Sequence, residues 1–343
     1  MYKKWLSLVS ALVGLILIPG VLFAAAPFYE GKNIRFILAS SPGGGFDTYA
    51  RVLCRHLGKH IPGNPTIIVE NTSGAGGLIL ANQLYKITKP NGLTIGQFNG
   101  ALLFARRLGL EGAEFESTKF EFIGAMAKVT PVCILSKESG ITNMDQWMSS
   151  KTPVKLGGNA PGTLAPDDTP TILKAALGLP IHLVSGYKGT PEIRQAMQSR
   201  EVAGCFLGWE SARTTWRKDL EAGNASVVLQ AVPKPLPGLS KVPLAISFAK
   251  TEEARRLIEV GIHNNSLFAR PFLVSPGVPK DRVQALRNAF QETLKDKEFL
   301  ADAEKTRLDL DPVTGEELQA AVAELSKIDP ALITKLKKIL YNQ

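Results

Sequence analysis

The chain has little of what redox, metal or nucleophilic chemistry requires. It carries three cysteines and four histidines in 343 residues. Cys54, Cys133 and Cys205 are an odd number, so at least one remains a free thiol, and none stands at a metal-ligand spacing. Each falls in an apolar helical or strand-like run, where a small buried hydrophobe is the expected role. Among His56, His60, His182 and His263 only the first two share a helical i, i+4 spacing. Position 57 between them is leucine, where a zinc-protease helix needs glutamate, and cations at the end of a helix complement its dipole. No serine sits in a Gly-x-Ser-x-Gly elbow, and the first glycine turn lacks the lysine of a P-loop. There is no low-complexity tract, no repeat of fixed period and no long basic run, since Arg106-Arg107 and Lys337-Lys338 are only pairs. Charge scattered in this way speaks against a nucleic-acid partner, and no metal or cofactor is expected.

What is present begins with export. Lys3 and Lys4 precede an apolar tract over 6–22, and Ala24-Ala25-Ala26 supplies small residues for cleavage, the pattern of a signal peptide over 1–26. The tract is about as long as a short membrane anchor, but Pro19-Gly20 interrupts it. No cysteine ends it, so lipid attachment there has no acceptor. A periplasmic product starting near Pro27 is expected. Loss of Lys3 and Lys4 with no acid lowers the formal charge from +9 to +7, which suits an acidic ligand. The remaining length suggests about two domains.

Two glycine-rich turns lie early in that product: Ser41-Pro42-Gly43-Gly44-Gly45-Phe46-Asp47 and Asn71-Thr72-Ser73-Gly74-Ala75-Gly76-Gly77. Each follows an apolar extended run, at 34–39 and 66–69, and precedes a helical pattern. A glycine turn lets the backbone approach a ligand, and the helix it opens offers unpaired N–H groups with partial positive charge. Asp47 reads either as a ligand-orienting acid or as ordinary dipole complementation in a first helical turn; Glu70, at a strand end, reads as a structural partner. A third strand over 93–98 ends at Asn99-Gly100. Strands alternating with helices imply a parallel sheet with ligands beyond the carboxyl ends of its strands.

A second block repeats the pattern, with strands over 122–127, 132–135, 155–156, 181–184 and 202–207. Its turns are Gly157 to Thr163, Tyr187-Lys188-Gly189 and Gly208-Trp209-Glu210. The stretch 233–243 is an irregular proline-rich surface loop, Phe272 to Val274 a further strand, and the last third helical, with apolar faces at Val283, Leu286 and Phe290, at Leu318, Val322 and Leu325, and at Leu332, Leu336 and Ile339. Two similar α/β blocks suggest two lobes facing across a cleft.

The ordered set of motifs resembles one family. Ile34-Arg35-Phe36-Ile37 leading into the first turn, the second turn after Val69-Glu70, then Lys89-Pro90-Asn91-Gly92-Leu93-Thr94 and Tyr187-Lys188-Gly189 together resemble the tripartite tricarboxylate transporter receptors, also called Bug receptors. The resemblance implies a type II periplasmic binding fold, α/β, with lobe 1 at 27–124 plus 268–343 and lobe 2 at 125–267. It implies a monomeric receptor without cofactor or catalysis that hands a carboxylate to a large and a small integral membrane permease subunit. It places Ser41, Gly44, Gly45 and Phe46 on the carboxylate, with no arginine required, and Asp47, Gly76, Gly77, Asn99 and Gly100 beside them. Asn159, Gly162, Thr163, Tyr187, Lys188, Trp209 and Glu210 close from the other lobe.

Three departures bear on the ligand. Phe46 replaces a small polar residue, the 159–168 turn is proline-rich and carries Asp167-Asp168, and Gly208-Trp209-Glu210 replaces a strand-end aspartate motif. Citrate is disfavoured, and a carboxylate with an apolar or aromatic portion between Phe46 and Trp209 is expected. An exported enzyme, or a sensory receptor not coupled to transport, are the alternatives.

Overall fold

The computed structural model describes residues 26–268 and 270–341. The signal peptide expected over 1–26 therefore lies outside the described residues except for Ala26. Among the described residues no helix is long and apolar enough to cross a membrane.

Among the described residues eleven strands form two sheets. In chain order they are β1 Asn33–Leu38, β2 Thr66–Asn71, β3 Thr94–Gln97, β4 Glu121–Ala125, β5 Pro131–Ser136, β6 Val154–Gly157, β7 Ile181–Val184, β8 Gly204–Gly208, β9 Ala225–Gln230, β10 Phe272–Val274 and β11 Val313–Thr314. The first sheet runs β11-β4-β10-β3-β1-β2 and the second β7-β6-β8-β5-β9. β1 pairs in parallel with β2 and β3, as the alternation with helices implies, while β10 enters antiparallel between β3 and β4. The second sheet is likewise mixed, with β6 parallel to β7 and β8, and β5 antiparallel to β8 and β9. Sequence periodicity anticipates all of these but β9 and the two-residue β11. The run Val227-Val228-Leu229 bounded by Asn224 and Pro233 is the signal that marks β9.

Each central strand serves two cores because successive side chains point to opposite faces. Along β1, Ile34, Phe36 and Leu38 pack with Tyr49 and Leu53 of the helix Gly45–Leu57 and with Leu286 and Phe290 of the helix Lys280–Thr293. Ile37 faces the other way, toward Leu84, Phe98 and Leu102. Burying such a side chain stabilises the fold by roughly 1.5–3 kcal/mol. These two layers clamp β1 so that its carboxyl end, and the glycine turn after it, have one position.

The chain passes from the first sheet to the second between β4 and β5 and returns between β9 and β10. Val129 N donates to Ser266 O at 3.2 Å, so the two crossings lie side by side as a hinge. The helix Gly315–Glu324, set by the Thr314 and Glu317 capping box, packs on β4. The last helix, Pro330–Tyr341, instead packs on the helix Thr169–Leu177 beside the second sheet, its Leu336 against Gly261. That tract, expected in lobe 1, thus reaches across to the other lobe because its apolar face finds its cover there.

Candidate functional site

The two sheets face each other across a cleft whose inner end is a cavity of about 80 Å³, room for several water-sized groups. From the first lobe it is lined by Ala39, Ser40, Ser41, Gly44, Gly45, Phe46, Gly76 and Asn99. The second lobe contributes Asn159, Thr163, Ala165, Pro166, Lys188 to Pro191, Leu207, Gly208, Glu210 and Ser211, and the hinge Val129 and Arg270. Both glycine turns and the strand ends opposite them therefore meet at one place.

The first turn is built to leave amides open. Gly43 N donates to Asp47 Oδ2 at 2.9 Å, and Asp47 Oδ1 accepts from Arg51 Nε and from Asn71 Nδ2, both at 2.9 Å. Burial alone raises this carboxyl, but the bonds from Arg51, Gly43 and Asn71 outweigh it and hold it below the ordinary value. Asp47 is thus the brace of the turn and does not line the cavity. The helix Gly45–Leu57 begins without a side-chain cap, and the amides of Gly45 and Phe46 have no acceptor among the described residues. These are the orphan donors that a carboxylate satisfies.

The opposing turn is organised by a second aspartate. Asp167 Oδ2 accepts from Asn159 N at 2.6 Å, Ala160 N at 3.0 Å and Thr163 Oγ1 at 2.6 Å, and Oδ1 accepts from Ser185 Oγ at 2.7 Å. Burial raises its pKa against these bonds. Asp168 accepts only from Gly162 N, at 2.9 Å; burial, reinforced by the Asp167 charge, pushes its carboxyl up to about 7.

Arg270 is the residue that sequence reading missed. It is 1% exposed, its Nη2 donates to Glu210 Oε1 at 2.6 Å and to Ser211 Oγ at 2.5 Å, and its guanidinium lies over the rings of Phe46 at 4.7 Å and Tyr49 at 4.5 Å. Its Nε and Nη1 are buried with no partner among the described residues, as are Ser40 Oγ, Ser41 Oγ and Asn159 Oδ1. All of these residues line the cavity. Buried polar atoms left unpaired cost about 1–3 kcal/mol each and mark where a ligand or ordered water belongs. An arginine, which the family resemblance does not require, thus stands in the cavity.

Glu210 reaches the cavity as expected, but as the counter-ion of Arg270; its other oxygen accepts from Thr130 N at 3.1 Å and Thr130 Oγ1 at 2.7 Å. Trp209 does not line the cavity: its amide bonds Thr130 O, and its side chain packs on the core under the second sheet. Adjacent residues at a helix start point apart, so bringing Glu210 inward turns Trp209 away. Tyr187 lies outside this cavity but, with Gly77, lines a pocket of about 340 Å³ that adjoins it and shares Ala39, Gly76, Asn159 and Lys188 with it; its hydroxyl donates to Glu201 at 2.5 Å. Gly100 and Gly162 lie behind the lining, against Phe268 and Leu102 respectively, where they permit close packing, while Gly77 packs on Phe98 at the wall of that adjoining pocket. The remaining expected residues, Ser41, Gly44, Gly45, Phe46, Gly76, Asn99, Asn159, Thr163 and Lys188, line the cavity.

The lobes are closed on one another. A Cβ added at Gly45 would stand 1.9 Å from Ser211 Oγ, and one at Gly76, whose φ is +62°, 2.8 Å from Thr163 Cγ2. Arg213 pairs with Asp309 between the lobes, and Arg307 with Glu221 at 3.5 Å.

Other chemistry is spoken for. His56 meets Asp302 at 3.1 Å and His60 meets Asp296 at 2.8 Å. His56, Asp296 and Glu298 converge, but Lys59 Nζ already sits 2.6 Å from Asp296 and 2.5 Å from Glu298 as their cation. Cys54, Cys133 and Cys205 are free, and burial pushes each thiol up, away from the reactive thiolate.

No protein-family model and no curated protein matches the chain. Solved structures do. The periplasmic binding protein BugD is 22% identical, with a TM-score of 0.72 over 91% of this chain and 98% of its own. MatC from Rhodopseudomonas palustris with bound malate is 16% identical, with a TM-score of 0.69 over 90% of this chain and 99% of its own. An R. palustris protein with adipate is 20% identical, with a TM-score of 0.70 over 90% of this chain and 97% of its own. The chain has the two-lobed α/β fold of these periplasmic binding proteins.

Proposed function

We propose that this chain is an extracytoplasmic receptor of the tripartite tricarboxylate type that encloses a small carboxylate between its lobes and delivers it to a two-subunit membrane permease. The observation that carries this reading is the set of unpartnered buried atoms on Ser40, Ser41, Asn159 and Arg270 around one cavity between the lobes, beside an uncapped helix start. The carboxylate sits between the amides of Gly45 and Phe46 and the free edge of Arg270. Charge-assisted hydrogen bonds of this kind contribute about 1.5–3 kcal/mol each, and the helix dipole adds about 0.3–2 kcal/mol. The distal part lies against Phe46, Pro166 and Leu207, with Asn159 and Lys188 to receive a second polar group.

The lobes divide at the two crossings, 27–124 plus 268–343 and 125–267, with the final helix strapped across. The receptor acts in the periplasm as a monomer and performs no catalysis. Malate and adipate, held by two structural neighbours, are short dicarboxylates, and the cavity with its adjoining pocket suits acids of that size.

Thermal melting against a panel of two- to eight-carbon acids tests the reading. A cognate acid at 100 times its Kd stabilises the fold by about 2.7 kcal/mol and is recovered unaltered. Stabilisation only by neutral sugars or cations, or turnover of the stabilising acid, overturns it.

A further inference from the structure

A second cavity, of about 680 Å³, lies on the other side of the hinge. Its walls come from Lys128 to Thr130, His263, Asn264 and Ser266 to Phe268 of the crossings, from the 232–236 loop of the second lobe, and from Ala321, Leu325 and Ile328 at the end of the helix that packs on β4. Val129 lines this cavity and the front one alike, so the first crossing is the partition between them. The volume is that of a small-molecule site, and such sites favour interfaces between domains.

The lining chemistry selects the occupant. Leu267, Leu325 and Ile328 make an aliphatic wall that belongs to one core cluster, and Leu236, of another, faces the same space. A sugar, polar on every face, would lay part of its hydroxyls against those aliphatic groups without partners. The charged groups are at the rim: Lys128 pairs with Asp311 at 3.1 Å and Glu324 with Lys327 at 2.8 Å, whereas exposed Lys234 makes no ion pair among the described residues. His263 Nε2 is buried in the wall with no partner among the described residues, and burial pushes its imidazole down to about 4, so the ring is uncharged at neutral pH. One open cation at the edge of an aliphatic chamber matches a molecule with one anionic head and a hydrocarbon chain.

We propose that this hinge-side cavity is a second binding site, for a free medium-chain carboxylate whose chain lies along Leu236, Leu267, Leu325 and Ile328 and whose head meets Lys234. Because its walls belong to both lobes and to the hinge, the occupant resists any change in the angle between lobes. Opening the front cleft narrows the space behind the hinge, so a filled rear cavity favours the closed form, and the two sites couple positively.

Calorimetric titration of the mature chain with octanoate tests this. One octanoate is expected to bind per chain, about tenfold tighter than hexanoate, since each buried methylene strengthens binding about fourfold at most. Ala321→Trp, which fills the chamber, is expected to abolish binding. Lys234→Glu, at an exposed position that leaves folding alone, is expected to weaken it about two- to fivefold and carries the test if the tryptophan variant does not fold. Arg270→Lys, which alters the front cleft, is expected to leave octanoate binding within about twofold. No binding to the wild type, unchanged affinity in folded Ala321→Trp or in Lys234→Glu, or loss of octanoate in Arg270→Lys each overturns the proposal. The last outcome puts octanoate in the front cleft and leaves the receptor reading standing.

Discussion

Arg270 Nη2 donates to Glu210 Oε1 at 2.6 Å, with side chains 1% and 4% exposed, where the hinge meets the cleft floor. The two residues come from different lobes' boundaries and are 60 apart in sequence. Removing one partner of a buried pair strands the other charge. Arg270→Leu is therefore expected to lower stability by about 3–5 kcal/mol, and Arg270→Leu combined with Glu210→Leu to recover a large part of that loss. Urea unfolding of the three proteins measures it, and a double variant no better than the single one counts against an ion pair as the reason for the loss.

Gly45 separates stability from closure. It lies in the first turn of a helix, where alanine is as well tolerated as glycine or better, yet a Cβ there meets Ser211 of the facing lobe at 1.9 Å. Gly45→Ala is expected to melt no lower than the wild type without ligand, to bind carboxylate at least tenfold more weakly, and to show a larger radius of gyration in X-ray scattering. A compact particle with full affinity would mean that this contact does not govern closure.

The Arg213–Asp309 pair, which joins the lobes, is half exposed. Exposed pairs contribute about 0–1 kcal/mol, so Arg213→Ala is expected to weaken ligand binding by no more than about fivefold. The difference should vanish near 1 M salt, where screening reaches about 3 Å. A larger, salt-independent loss in titrations would assign Arg213 a role inside the cleft.

Asp168 gives the fold a pH signature. Its folded pKa of about 7 lies above the ordinary 3.8, so the folded state holds a proton that the unfolded state releases. Its contribution to stability is full below pH 3.8 and is lost as pH rises to 7, on the order of 4 kcal/mol at most. His263, pushed down to about 4 from 6.5, acts oppositely over much of that window by losing stability as pH falls. The comparison with Asp168→Asn isolates the aspartate: the variant is expected to gain on the wild type progressively from pH 4 to 7 in chemical unfolding. A constant difference across that range would mean that Asp168 is ionised in the fold.

The glycine turns were legible because β-strand, glycine turn and helix are local, and a parallel sheet puts all such turns at one edge. Asn159 and Thr163 were legible for the same reason. Arg270 was not, since it lies in an irregular crossing with no periodicity, and only the return of the chain to β10 brings it to Phe46 and Glu210. Trp209 shows the opposite failure: strand-end position is visible in sequence, but which of two neighbours faces inward depends on where the helix starts. The final helix has a clear apolar face, yet nothing local says which lobe will cover it.

Mass spectrometry of the small molecules released when gently purified mature protein is denatured tests the central reading most directly. The expected result is a single organic acid retained by the wild type near one per chain and missing from Gly45→Val, in which the cleft cannot close. Retention of a sugar, a nucleotide or a cationic solute in the wild type, or of the same acid at the same level in Gly45→Val, would contradict a carboxylate held at the first glycine turn.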